Sequence, residues 1–124
     1  MSEGVLLTAA VVVHEARGLV VAGWSQGAQA RDDMGDEVAA WSEDARSWSV
    51  LGALLASWHN HNSEGLDADV VAHLADARAL GDATAALGEV LGTASLGQWN
   101  DQPGRSQAEA IAAFDSALLL LADD

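Results

Sequence analysis

The chain contains no cysteine, no lysine and no tyrosine, and only one proline and one phenylalanine. Without cysteine there can be no disulfide, no thiolate metal ligand and no cysteine nucleophile. Without lysine a Walker-type phosphate loop lacks its cation, and the glycine-bounded run Gly23-Trp24-Ser25-Gln26-Gly27 also lacks the strand-to-helix setting such a loop requires. Five arginines face 19 acids, for a formal charge of −14. A field of that sign repels nucleic acid and anionic membranes, so neither is expected as a partner. It fits simple solubility first, and beyond that a cationic partner, a metal or a salt-rich cytoplasm. Long apolar runs are missing too. The stretch 5–13 falls short of the ~20 residues that span a bilayer, and Glu3 rather than a basic region precedes it. Neither a signal peptide nor a membrane anchor is expected, and the location expected is cytoplasmic.

What is present is small and apolar. Half of the 124 residues are hydrophobic, mostly Ala, Val and Leu, with five Trp supplying bulk. The length suits one domain over residues 1–124. Alanine enters a helix without losing side-chain entropy, so the composition favours an all-α fold. We expect a compact bundle of four to five short helices, with an irregular loop or small β-hairpin near 19–41.

Local signals place the elements. Val5, Ala9, Val12, Val13 and Ala16 recur at helical spacing and predict a helix over 6–17, closed by Gly18. Residues 19–41 have no helical period, and Asp32-Asp33-Met34-Gly35 reads as a turn between 28–31 and 37–40. Ser42 with Glu43 and Asp44 predicts the start of a second helix, whose face carries Ala45, Trp48, Gly52, Leu55 and Trp58. After a polar break at 59–65, Asp67 or Asp69 caps a third helix along Val70, Leu74 and Ala77, ended by Gly81. Asp82 then opens a fourth, through Leu87, Val90 and Leu91 to Gly92. Ser95 with Gln98, and Ser106 with Glu109, have the form of capping boxes. The first opens a single turn ending at Trp99. The second opens a final helix with Ile111, Phe114, Leu118 and Leu121 inside.

The run Trp99-Asn100-Asp101-Gln102-Pro103-Gly104-Arg105 is richer than a helix connection needs. Together with Gly23-Trp24-Ser25-Gln26-Gly27, Arg31 and Arg46-Ser47-Trp48-Ser49-Val50-Leu51-Gly52-Ala53-Leu54, it resembles DUF6197, a family of small bacterial and phage proteins of unknown function. The resemblance implies a fold family and no activity. The family pattern usually has cysteine where this chain has Ser49: either a cysteine that does chemistry in relatives is lost or replaced by a hydroxyl here, or, more ordinarily, two small residues are exchanged on a buried helix face.

Two readings of these segments stand side by side. In one, Trp24, Gln26, Arg31, Trp99, Asn100, Asp101 and Arg105 form one site for a small anionic ligand, in a small enzyme or sensor. In the other, Trp99 plugs the core, Asn100 and Asp101 satisfy helix-end backbone groups, and Arg105 pairs with Asp101. Whether 24–31 and 99–105 meet in space separates them. No nucleophile elbow or other catalytic signature is present. The expected function is therefore a non-enzymatic binding or interaction module for a protein partner or for a second copy. Gly52, Ala53 and Ala56 would form the groove for that close helix approach. His59-x-His61 near Glu64 and Asp67 is too sparse for a metal centre, His73 lies apart, and no metal or cofactor is expected. Asp32-Asp33 and Asp123-Asp124 read as solvated charge.

Overall fold

The computed structural model describes residues 8–62 and 70–122, with the backbone alone for 61–62 and 70–75. In chain order the elements are α1 (Ala9–Ala22), β1 (Ala30–Arg31), β2 (Glu37–Val38), β3 (Ser47–Trp48), α2 (Val50–Asn62), α3 (Val70–Leu91), α4 (Leu96–Asn100) and α5 (Gln107–Ala122). The fold is mainly helical with a small three-stranded antiparallel sheet of order β2-β1-β3. Helix α1 packs against α2, α3 and α5, and α4 sits against α2 and α3. Among the described residues no helix is long and apolar enough to cross a membrane.

Helix α1 starts at Thr8, whose hydroxyl accepts from the Val11 amide at 3.3 Å. It buries Val12, Val13, Ala16 and Val20. The valine run is helical because that stripe is needed by three neighbouring helices, and packing outweighs the χ1 restriction of β-branching. The helix does not stop at Gly18 but continues to Ala22, and a Cβ at Gly18 would meet nothing within 4 Å. An exposed helical glycine costs only ~1 kcal/mol, which the burial of Val20 offsets.

The turn expected at 32–35 forms a hairpin in which Ala30 pairs with Val38 and Arg31 with Glu37. Asp32 is more than solvated charge, because its Oδ1 accepts the amides of both Met34 and Asp36 at 2.9 Å. Ser42 does not open α2. Its hydroxyl accepts the Asp44 amide in a turn, and Ser47-Trp48 leaves the helix to pair with β1. Ser49 is the residue that caps α2, its Oγ accepting the Gly52 amide at 3.0 Å and its carbonyl the Ala53 amide at 2.8 Å.

Where two helices were expected, α3 is one, running through Gly81 without a break; Ala77, expected on its apolar stripe, is exposed. It ends at Gly92, where φ is +67°, with Thr93 N bonded to Gly88 O and Gly92 N to Glu89 O. That is a Schellman closure. The proposed caps Asp67 and Asp69, and the beginning of the first predicted helix, lie outside the described residues. Ser95 caps α4 through the Gln98 amide at 3.2 Å, and α4 reaches Asn100, one residue past Trp99. The Ser106–Glu109 box is reciprocal: Ser106 N donates to Glu109 Oε1 at 2.9 Å and Glu109 N to Ser106 Oγ at 3.2 Å. In α5, Phe114 is fully buried, while Ile111, Leu118 and Leu121 pack around the core half-buried.

Candidate functional site

The segments 24–31 and 99–105 do meet, and Asn100 joins them. It is 0% exposed, at the C-terminal end of α4. Its Oδ1 accepts Trp24 Nε1 at 2.8 Å and the first amide of α2, Val50 N, at 3.0 Å. Its Nδ2 donates to Ser25 O at 3.0 Å and to Asp101 Oδ1 at 3.1 Å. A buried amide with all of its capacity in use ties α4, the 24–27 segment and the start of α2 into one unit. Trp24 and Trp48 bridge alongside, with Trp48 N donating to Gly23 O at 3.0 Å and Ser25 N to Trp48 O at 3.2 Å.

The neighbouring polar residues extend the clamp. Gln26 Nε2 donates to the carbonyls of Asn100 at 2.9 Å and Gln102 at 3.0 Å. Asp101 Oδ1 accepts the Gly27 amide at 2.9 Å. Gly27 has φ +81°, a conformation open to glycine that turns its amide toward that carboxylate. Arg31 braces its own hairpin, donating to Gln26 O and to Gly35 O.

Arg105 does not pair with Asp101. Its Nε donates to Trp99 O at 2.9 Å, its Nη1 meets Glu109 Oε2 at 3.2 Å, and its guanidinium lies 3.9 Å from the Trp99 ring centroid. The pairing follows helical spacing: Glu109 lies four residues on, across the first turn of α5, while Asp101 is engaged by Gly27 and Asn100. The Ser106 amide, with Arg105 adding to it, holds the Glu109 carboxyl below the ordinary glutamate value.

Beside this clamp lies an open concavity of about 470 Å³. Gly27, Ala28 and Gln29 form one wall, Glu37 comes from β2, Ser49 and Leu51 from the start of α2, and Gly97 and Asp101 from α4 and its end. Of these residues only Asp101 was singled out as a ligand contact from sequence. Ser49 could have been found as a hydroxyl three residues before Gly52, at the head of an apolar run. Gly97 and Glu37 carry no local signal.

A family model described as a family of unknown function, DUF6197, matches residues 5–118. The chain belongs to DUF6197. Searches of curated proteins and of solved structures give no match.

The remaining candidates in this DUF6197 chain have structural places. Gly52, expected in a groove for a second copy, is buried, and a Cβ there would stand 1.9 Å from the Gln29 carbonyl oxygen. Ala53 and Ala56 are buried as well, so that face is filled by the chain's own β1 approach and core. His59 stacks on Trp41, ring centroids 4.8 Å apart and planes 12° apart. The side chains of His61 and His73, with Glu64, Asp67 and the pair Asp123-Asp124, lie outside the described residues. No group of three His, Asp or Glu side chains with metal-binding geometry occurs among the described residues.

Proposed function

We propose that this protein is a non-enzymatic binding module that receives its ligand in the concavity between residues 27–29 and α4. One observation carries this reading: the polar side chains that make the chain recognisable are consumed in holding the walls of that concavity in place. Asn100, Asp101 and Gln26 join α4, the 24–27 segment and α2 through internal hydrogen bonds. A wall fixed in this way is pre-organised, and pre-organisation lowers the cost of binding. The volume falls within the range of small-molecule sites. Among the described residues Ser49 is the one hydroxyl residue on the lining and no histidine stands there, and a serine without a base is a weak nucleophile.

The meeting of the two segments also favours a ligand site in general. An anion finds little there, because Arg31 and Arg105 are both directed to backbone carbonyls and to Glu109. Self-association through Gly52, Ala53 and Ala56 is not part of the reading, since those residues are buried.

The test is a backbone-amide NMR screen of the full chain against a library of cationic, neutral and anionic metabolite-sized compounds. Saturable shifts confined to Gly27, Ala28, Gln29, Ser49, Leu51 and Gly97, with the compound recovered unchanged, are expected. Unmoved amides at those positions throughout the library, or chemical turnover of a bound compound, would overturn the reading.

A further inference from the structure

We infer that the concavity is selective for a compact organic cation, a guanidinium or ammonium head with an oxygen acceptor close by; this rests on the binding-module reading above. The charge of the lining points that way. Among the described residues its charged side chains are Glu37 and Asp101, both carboxylates, and no arginine lines it. Asp101 uses Oδ1 for Gly27 N and Asn100 Nδ2, which leaves Oδ2 without a protein partner among the described residues. The Glu37 carboxylate likewise has no hydrogen-bond or ion-pair partner among them. In a chain of net charge −14 the surrounding field adds to these two carboxylates and disfavours an anion.

A second observation is the Ser49 hydroxyl. The residue is 5% exposed and lines the concavity. Its Oγ accepts the Gly52 amide, while its own hydrogen has no acceptor among the described residues. That hydrogen is free to donate to an oxygen carried by an occupant.

Gly97 is the third. It lies inside α4 without a positive φ, and a Cβ added there would meet nothing within 4 Å. Neither backbone conformation nor packing calls for glycine, which is less favourable than alanine in a helix. A bare backbone at this position keeps the concavity open, and any larger side chain would stand at its wall.

The experiment is an amide-detected NMR titration of the full chain with L-argininamide, which carries a guanidinium and a carbonyl, with propionamide as the neutral probe and succinate as the anionic one. L-argininamide is expected to give saturable shifts at Gly27, Ala28, Gln29 and Gly97, and succinate none. Glu37→Gln, on an exposed edge strand, should weaken L-argininamide about two- to fivefold, the range of an exposed ion pair. Gly97→Leu should abolish the shifts with the melting temperature unchanged or raised. If succinate or propionamide binds there at least as tightly as L-argininamide, the cation inference falls and the binding module stands. Silence from L-argininamide also overturns it, and the module reading falls with it only if the wider library leaves the same amides unmoved. Binding of L-argininamide undiminished by either substitution would place it elsewhere on the surface and overturn the inference too.

Discussion

Removing the Asn100 side chain is the sharpest perturbation the clamp offers. Asn100→Ala takes the acceptor from Val50 N, which is buried at the head of α2, and from the Trp24 indole, and the donor from Ser25 O. Orphaning a buried amide costs about 1–3 kcal/mol, and each of the two half-buried groups adds roughly 0.5–1.5 kcal/mol. The expected loss is about 2–6 kcal/mol, a large share of the ~5–15 kcal/mol that holds a domain together. At this chain length, 1 kcal/mol corresponds to roughly 3–5 °C, so the melting temperature should fall by at least about 6 °C. Circular dichroism melts supply the magnitude, and the Trp24 indole N–H resonance reports whether its bond is gone. Asn100→Asp is the control for shape. It keeps the acceptors, loses both donors and sets a second carboxylate against Asp101. A loss below about 1 kcal/mol for Asn100→Ala would refute the reasoning, since it would mean that water or a local shift satisfies these groups at little cost.

Glycine substitutions test the helices. Gly81→Ala, in a continuous α3 with open space at its Cβ, should stabilise by about 0.5–1 kcal/mol, whereas a helix end there would give no gain. Gly52→Ala places a Cβ 1.9 Å from Gln29 O and should cost at least ~1–3 kcal/mol in denaturant unfolding. Arg105→Ala removes the bond to Trp99 O, the ring contact and the Glu109 pair from a side chain 21% exposed, for an expected thermal loss of about 1–2 kcal/mol; an unchanged melt would leave Arg105 without a structural role. Glu109 has a folded pKa depressed chiefly by the Ser106 amide. Its stabilising contribution is present above the ordinary glutamate range and disappears as pH falls through the depressed value. Carbon-detected NMR titration should place its midpoint below that of an unfolded-chain glutamate, and Glu109→Gln should flatten that part of the acid dependence of stability.

Local chemistry was legible where a residue's partner lies within a few positions. The N-cap at Ser95 (though not the return bond of a full box, since Ser95 N donates to Thr93 Oγ1), the box at Ser106, the turn at 32–35 and the closure at Gly92 were readable because a cap or an Asx turn is settled by residues two to five apart. The same local logic misread Ser42 and Ser49. Both can cap a helix, and the choice went to Ser49 because β3 is drawn into pairing with β1, a decision made some 17 residues away in sequence. Gly18 and Gly81 look like helix ends because glycine is a poor helix former. The penalty of ~1 kcal/mol is smaller than the burial of Val20, Ala83 and Leu87 beyond them, so tertiary packing carries both helices through. At the candidate site, one reading gave the polar atoms of these segments to a ligand; the other gave Asn100 and Asp101 to helix-end backbone groups, as Asn100 does at Val50 N, and paired Arg105 with Asp101, where the structure turns it to Trp99 O and Glu109. Only the folded chain brings Asn100 to Val50, Trp24 and Ser25, across 50 to 76 positions, and so converts the motif into a frame. The concavity itself, with Glu37, Ser49 and Gly97 on its walls, is assembled from three separate elements. No local pattern encodes it, because a cavity is a property of how surfaces meet.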